Sequence, residues 1–227
     1  MNSTTSFSAN SVIDLPYDDG AVLERVETWL RDVVGAGRRH ARLANTLSML
    51  EHIGSVKIAR SQAGSAITLG RLQHLTEETR HAWALKRIAV AIDPEGMMQY
   101  NEAALLAGAA ARGYFERLDA GVRGVVRAAL PGDLQNEAAY LLVTWLVELR
   151  AAWLYPVYQS ALEACGARHS VRSIIGDEAR HLDDVRQGLD ALLGAGSELP
   201  DMLRRYEAGL FERLAAAMMR ADAVSVS

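Results

Sequence analysis

Residues 177–181 read Asp-Glu-Ala-Arg-His, and an earlier stretch, residues 77–81, reads Glu-Glu-Thr-Arg-His. In each stretch a Glu and a His stand three residues apart, so their side chains share one face of a helix. A carboxylate oxygen and an imidazole nitrogen held side by side in this way can bind one metal ion. The two stretches therefore predict a metal site to which two helices each contribute a Glu-x-x-His motif.

A single Glu precedes each motif on a long helical stretch. The order along the chain is therefore Glu, Glu-x-x-His, Glu, Glu-x-x-His. Dinuclear metal sites in four-helix bundles use this set, with a Glu from each of two helices and a Glu-x-x-His from each of the other two. The predicted metal ligands are Glu51, Glu78, His81, Glu148, Glu178 and His181.

The spacing of these residues predicts that they lie at one height. Glu51 and Glu78 are equally distant from residues 64–65, Gly-Ser, where a turn is expected. At 1.5 Å per residue each lies ~20 Å from that turn. The second pair brackets a turn near residues 165–166 at ~22 Å. Two antiparallel hairpins would therefore present their ligands at the same level, as a shared site requires.

The composition indicates a helical protein. Half of the 227 residues are hydrophobic and only 5 are Pro, whereas Ala, Leu, Arg and Glu, which favour helix, are abundant. The net charge of −4 argues against a generic nucleic-acid-binding surface. The single cysteine, Cys165, excludes a disulfide framework and indicates a reducing, cytoplasmic setting. The most apolar run, residues 138–146, is too short to span a bilayer, so no membrane association is expected.

Hydrophobic periodicity and turn residues predict seven or eight helices in one domain, residues 17–222. A flexible tail is expected at residues 1–16, without the features of a signal peptide, and a short one at residues 223–227. Pro156 should kink or end the helix that contains it. The expected helical segments are residues 18–33, 38–62, 67–92, 101–130 (one or two helices), 134–163, 171–193 and 201–220.

A simpler alternative is that the acidic residues of both motifs are solvated charges on helix faces. The two His would then make ordinary i, i+3 pairs. This alternative leaves Glu51 and Glu148 unexplained, because both stand among apolar residues and a buried, unpaired carboxylate is very costly.

Residues 38–92 and 134–193, about half of the chain, resemble the ferritin-like superfamily of di-iron carboxylate proteins. The two motifs are similar to the Asp-Glu-x-Arg-His motifs of its oxygen-activating branch. That branch includes bacterial multicomponent monooxygenases, phenylacetyl-CoA epoxidase and, with a looser motif, ribonucleotide reductase small subunits and demethoxyubiquinone hydroxylases. The resemblance implies an all-α, ferritin-like four-helix bundle with a long crossover at residues 101–130 and additional flanking helices.

The resemblance also implies two iron ions, Fe2+ or Fe3+, with manganese or a mixed manganese–iron pair as the alternative. Glu78 and Glu178 would bridge the two ions and take part in catalysis, whereas Glu51 and Glu148 would be terminal ligands. Thr144, one turn before Glu148, would either line an oxygen pocket or hydrogen-bond back to its own helix.

The same resemblance implies roles for the residues just before each motif Glu. Asp177 would support His81, and Glu77 would support His181, although Glu77 is one methylene longer than the usual Asp. Arg80 and its counterpart in the second motif, at position 180, either neutralise these outer carboxylates or face solvent.

Other residues that could bear chemistry have weaker patterns. Four His residues fit no ligand spacing, so they are expected to be ordinary polar residues. Three Trp residues and one Tyr are expected to lie in the hydrophobic core rather than to act as redox relays. Leu85 occupies the position of the radical Tyr of ribonucleotide reductase small subunits, which excludes a tyrosyl radical there. The four His are His40, His52, His74 and His169, and the aromatic residues are Trp83, Trp145, Trp153 and Tyr155.

Three function classes follow. The leading expectation is an enzyme, a non-haem di-iron oxygenase or oxidase. It would use O2 and an external electron donor, a reductase or ferredoxin, to hydroxylate, desaturate or otherwise oxidise a small organic substrate. The second is a ferritin- or rubrerythrin-type iron-oxidising or peroxide-reducing protein, and the third a non-enzymatic helical interaction protein. A tRNA hydroxylase is a special case of the first, against which the acidic charge argues. A homodimer through residues 115–125 or the last helix remains open.

Overall fold

The computed structural model of the chain describes residues 20–61, 67–194 and 196–226. Within these ranges the chain forms seven α-helices and no β-strand, so the all-α prediction is confirmed. The expected tail at residues 1–16 lies outside the described residues. The helices are α1 (Gly20–Val33), α2 (Arg38–Ser61), α3 (Leu69–Ile92), α4 (Gly108–Ala129), α5 (Gly132–Ala164), α6 (Arg172–Leu193) and α7 (Leu199–Val226).

Helices α2 and α3 form an antiparallel hairpin. The Ser48 hydroxyl donates to the carbonyl of Ala82 (2.5 Å), and the Lys86 ammonium donates to Asn45 Oδ1 (2.7 Å). Residue numbers on α3 fall as those on α2 rise, which fixes the antiparallel direction. Residues of α2 and α3 at the level of the predicted ligands therefore face each other.

Helices α5 and α6 form a second antiparallel hairpin. The backbone N–H of Val171 donates to Gln159 Oε1 (2.8 Å), and at the other end Gly188 lies close against Leu141. Helix α5 continues through Pro156 instead of ending there, although Pro cannot donate the hydrogen bond that the helix expects at that position.

Helix α4 connects the two hairpins in the chain and packs against α5 and α7, with α1 also against α5. The segment before α4 is held by the Asn45 amide, which donates to the carbonyls of Gln99 (3.0 Å) and Ala104 (2.9 Å). Leu118 and Val122 of α4 are fully buried. The flanking helices thus cover the hairpins and enclose their shared interior.

Helix α7 extends to Val226, so residues 223–226 are helical, unlike the C-terminal tail expected there. Its last turns are fixed by Asp222, which is 2% exposed and accepts hydrogen bonds from Arg39 (2.6 and 2.7 Å) and Trp29 (2.9 Å). A buried charge paired in this way anchors the end of the helix. Across the part of the chain that the structure describes, no helix has both the length and the hydropathy of a membrane span.

Candidate metal centre

Seven His and Glu side chains from four helices meet in the interior between the two hairpins. The side chain of Glu51 is 11% exposed, and the other six residues are at most 8% exposed. Six of the seven are the predicted ligands. The seven are Glu51 from α2, His74, Glu78 and His81 from α3, Glu148 from α5, and Glu178 and His181 from α6.

These side chains form two groups of four, and Glu78 belongs to both. In each group one ligating atom per residue lies within 4.8 Å of all the others. Imidazole and carboxylate ligands bind an ion such as zinc at about 2.0–2.2 Å, so opposite ligand atoms lie about 4 Å apart. Each group can therefore close around one ion with small side-chain adjustments. The groups are His74, Glu78, Glu148 and His181, and Glu51, Glu78, His81 and Glu178.

Five buried ligating atoms in this cluster make no hydrogen bond. His81 Nδ1 and Glu178 Oε1 are 3.0 Å apart, but their orientation is not that of a hydrogen bond. A buried polar atom without a partner costs about 1–3 kcal/mol, so five of them in one place fit a cation-binding centre. The five atoms are Glu78 Oε1, His81 Nδ1, Glu148 Oε2, Glu178 Oε1 and His181 Nδ1.

The electrostatics of the cluster favour positive charge. Burial, followed by the charge of Glu148, raises the pKa of Glu178 to about 7. Burial alone would lower the pKa of His181, but the nearby carboxylates of Glu148 and Glu178 outweigh it and raise the pKa to about 11. Two divalent cations would offset the four carboxylates of the cluster and make it neutral overall.

Carboxylates outside the cluster hold the two motif imidazoles. His81 Nε2 lies 3.0 Å from Asp177 Oδ2, and His181 Nε2 lies 2.7 Å from Glu77 Oε2. Each contact joins α3 to α6, and together they are the pairs that the family resemblance implies. An imidazole that donates its Nε2–H to a carboxylate presents the lone pair of Nδ1, the atom that here faces the cluster.

Two half-exposed arginines complete these outer pairs. Arg80 donates to Asp177, and Arg180 donates to Glu77 (2.7 Å) and Asp177 (3.1 Å). Burial would raise the pKa of Glu77, but its hydrogen bonds, first with His181 and then with Gln73 and Arg180, lower it to about 2. Glu77 is therefore an anion at neutral pH, and the arginines both neutralise the outer carboxylates and reach solvent.

His74 corrects the sequence analysis, which treated it as an ordinary polar position. Its Nε2 lies 3.1 Å from Glu148 Oε1 and 3.5 Å from Glu78 Oε1, and its ring centroid lies 4.2 Å from that of His181. The signal was present, because His74, Glu78 and His81 stand at i, i+4 and i+7 on one helix face. The sequence analysis missed His74 because this residue lies one helical turn before the Glu-x-x-His motif.

Tyr155 is buried, as expected of a core residue, but it also contacts the cluster. Its hydroxyl donates to Glu51 Oε1. Burial, together with the charge of Glu51, raises the pKa of Tyr155 well above its usual range, so the phenol stays protonated and remains a donor. No sequence spacing links α2 to this part of α5, so the contact could not be predicted.

Trp83 is a second correction. It was expected in the core, but it is 59% exposed, with the Arg87 guanidinium 4.7 Å above its ring. Trp145 is buried as predicted, at 4% exposure. Trp83 lies on the face of α3 opposite the cluster, because it is two residues from the buried His81.

Two cavities lined by described residues reach carboxylates of the cluster, and a third borders His74 and His181 on the side of Glu77 and Arg180. The first, called the His74 cavity, has a volume of about 280 Å3 and includes Glu78, Glu148 and Thr144 in its lining. The second, called the apolar cavity, has a volume of about 90 Å3 and reaches Glu51 from the side of α1 and α7. Thr144 thus lines a cavity beside the cluster.

No protein-family model, curated protein or solved structure matches this chain. The resemblance therefore rests on the two motifs and the single Glu that precedes each of them. Any function assigned to the chain depends on the geometry of the cluster and its cavities.

Proposed function

We propose that the chain is a ferritin-like four-helix-bundle protein with a dinuclear non-haem metal centre, and that it is an oxidoreductase that uses O2. The observation that carries the proposal is the cluster of seven buried ligating side chains, five of whose atoms have no hydrogen-bond partner. The arrangement of α2, α3, α5 and α6 as two antiparallel hairpins, with α4 between them in the chain, supports the bundle topology.

Iron is the proposed metal, and manganese or a mixed pair is the alternative. Nitrogen and oxygen ligands without a thiolate suit these ions rather than a structural zinc site. Glu78 would bridge the ions because it belongs to both groups. Glu178 is the second proposed bridge, because one of its oxygens lies 3.0 Å from His81 Nδ1 and the other 3.7 Å from His181 Nδ1.

The bound metal pair would supply the redox chemistry with O2, and the protein positions the ligands. Asp177 and Glu77 hold the motif imidazoles with Nδ1 facing the cluster. The Tyr155 hydroxyl holds the Glu51 carboxylate through a hydrogen bond to Oε1. Glu51 and Glu148 would be terminal ligands, one in each group of four, and Glu78 and Glu178 would be shared by the two ions.

The His74 cavity supports an oxygenase or oxidase over an iron-storage protein. Its volume of about 280 Å3 is close to the lower end of ligand pockets, about 300 Å3, so it would fit a small organic molecule. Ile58, Phe115 and Val143 give it apolar walls beside the polar atoms of the cluster. An oxygenase or oxidase needs room for a substrate beside its metal pair, which this cavity provides.

The open end of the His74 cavity carries more positive than negative charge. Lys57, Arg60 and Arg123 line it together with one carboxylate, Asp119, which pairs with Lys57 (3.5 Å) and Arg123 (3.3 Å). We therefore propose that the substrate has an apolar body and an anionic group. Small carboxylic acids are the first candidates, and amides of the same skeleton are matched controls.

The function is tested by loading metal-free protein with Fe2+ under anaerobic conditions and following absorbance after rapid mixing with O2. Two irons per chain and an O2-dependent absorbance change that decays faster with a small acid than with its amide would support the oxygenase. Product analysis in the presence of an external reductant would identify the substrate. Iron that is oxidised and accumulates beyond two ions would favour a ferritin-type protein, and failure to bind iron would favour an interaction protein.

A further inference from the structure

The two groups of ligands are unequal. One, called the His74 position, offers two imidazoles and two carboxylates, whereas the other, called the Glu51 position, offers one imidazole and three carboxylates. Each position has one His from a Glu-x-x-His motif, and both positions include Glu78. The inequality is therefore due to His74, the second imidazole of its position, and a bridging Glu178 would leave this inequality in place.

The placement of His74 is that of a ligand. It is 8% exposed, and its Nε2 is in contact with carboxylate oxygens of Glu148 and Glu78, two residues of the same group. Its ring lies beside that of His181, with centroids 4.2 Å apart. His74 and His181 therefore present two imidazoles side by side to one group of ligating atoms.

A second contact increases the difference between the positions. The Tyr155 hydroxyl donates to Glu51 Oε1, and a hydrogen bond to a carboxylate withdraws electron density from it. Glu51 is therefore a weaker donor than an unbonded carboxylate. In the other position the corresponding carboxylate, Glu148, contacts His74 Nε2, which belongs to the same ligand group. The motif imidazoles do not add to the difference, because His81 and His181 each have an outer carboxylate.

We propose that the His74 position binds first and selects ions that prefer imidazole, such as Fe2+ and Co2+, over Mn2+, whereas the Glu51 position binds second and accepts Mn2+. Imidazole ligands suit iron and the later first-row ions, and carboxylates suit manganese. A centre with two such positions can hold a mixed iron–manganese pair. This inference rests on the dinuclear centre proposed above and concerns the identity and order of its ions.

The test is an anaerobic titration of the metal-free protein with Co2+, followed by visible absorption and by metal analysis after dialysis. The wild-type protein should bind two ions in two phases with dissociation constants at least about tenfold apart. His74→Ala should weaken the tighter phase by about 100-fold or more, since loss of even an outer partner of a ligand costs 10–100-fold. Glu51→Ala should remove the weaker phase and retain the tighter one.

Manganese provides an independent readout. Protein given one equivalent each of Co2+ and Mn2+ should retain both ions, with bound Mn2+ detected by electron paramagnetic resonance, and in His74→Ala this preference for a mixed pair should disappear. The matched control is His52→Ala, which removes an exposed imidazole on α2 that stacks on Tyr100 and should leave both phases unchanged.

The outcomes separate this inference from the proposed function. If the wild-type protein binds two ions in a single phase, or if folded His74→Ala keeps both phases, the two positions are equivalent and the inference is wrong while the dinuclear centre stands. If the wild-type protein binds no stoichiometric metal, the dinuclear centre itself is wrong. If His74→Ala does not fold, the titration of Glu51→Ala still tests the inference, because this variant should lose only the weaker phase.

Discussion

Single residues decide which atoms face the cluster. Asp177 and Glu77 accept from the Nε2–H groups of His81 and His181, each from the opposite helix, so that Nδ1 of both rings faces the four carboxylates. The acceptor residues therefore act on metal binding through the imidazoles. This role is distinct from the helix-face charge that the simpler alternative assigned to them.

Asp177→Ala should weaken metal binding by about 10–100-fold, because the ring of His81 would lose the carboxylate that fixes its tautomer and orientation. Equilibrium dialysis against Co2+ measures the effect. Asp183→Ala is the control, because Asp183 is an exposed carboxylate on the same helix. Equal affinities in the two variants would show that Asp177 has no part in positioning His81.

His40 predicts a pH dependence of stability that is separate from the metal centre. Burial, with a smaller contribution from His169, lowers the pKa of His40 to about 4. The backbone N–H of Gly35 donates to Nδ1 (3.3 Å), and Nε2 lies 2.7 Å from the Tyr158 hydroxyl. A proton on Nδ1 would break the first of these bonds, so the folded protein holds this ring neutral.

Since the unfolded chain takes up this proton more readily, the contribution of His40 is complete above pH 6.5. It is lost as the pH falls from about 6.5 to about 4, and amounts to about 3 kcal/mol at most. Urea unfolding of the metal-free protein should show a smaller loss of stability over that range in His40→Gln than in wild type. Identical pH profiles would contradict the assignment.

At the scale of helices, the close approach of α2 to α3 makes room for the shared carboxylate. A Cβ atom at Gly54 would lie 3.2 Å from Glu78 Oε2, tighter than most contacts of this kind. The glycine on α2 therefore permits the position of the residue that belongs to both ligand groups. An alanine there would require Glu78 to move by a few tenths of an ångström.

Gly54→Ala should weaken metal binding without destabilising the metal-free protein. A free Glu78 carboxylate can move aside, and alanine favours helix over glycine by about 1 kcal/mol, whereas a metal-bound carboxylate cannot move. Gly124→Ala, at an exposed helical glycine with open space around it, should raise stability and leave metal affinity unchanged. If Gly54→Ala and Gly124→Ala both bind metal with wild-type affinity, the proposed contact between Gly54 and the metal-bound Glu78 carboxylate is wrong.

The helical hairpins were predictable from sequence because ligand spacing and turn residues agree, and six of the seven clustered residues were found in this way. Residues outside the two motifs were harder to predict. His74 lies one turn outside the Glu-x-x-His motif, and the partner of Glu51 is Tyr155, more than a hundred residues later. Trp83 was misplaced because aromatic residues usually favour burial, whereas here its ring packs under Arg87 at the surface.

At the scale of the whole molecule, the flanking helices enclose a polar interior. Two buried ion pairs fix α7 over the bundle, Arg39 with Asp222 and Arg150 with Glu207, with distances of 2.6 Å in both. The cluster of four carboxylates at the centre opposes folding unless cations offset it. Metal binding and folding stability should therefore be strongly coupled.

Removal of metal should lower the thermal unfolding temperature. An ion at 100 times its dissociation constant stabilises the folded state by about 2.7 kcal/mol, so two ions contribute about 5 kcal/mol. In a chain of this length each kcal/mol shifts the unfolding temperature by about 2–4 °C, which predicts a loss of about 10–20 °C on chelation. Scanning calorimetry with and without chelator measures it, and an unchanged temperature would contradict the coupling.

The central claim, that the cluster is a dinuclear metal centre, is tested most directly by metal analysis of protein loaded with Fe2+ under anaerobic conditions and freed of unbound iron. The account predicts two irons per chain in wild type and loss of most bound iron in Glu178→Ala and in His81→Ala. Absence of stoichiometric iron in wild type, or two irons of unchanged affinity in either variant, would contradict it.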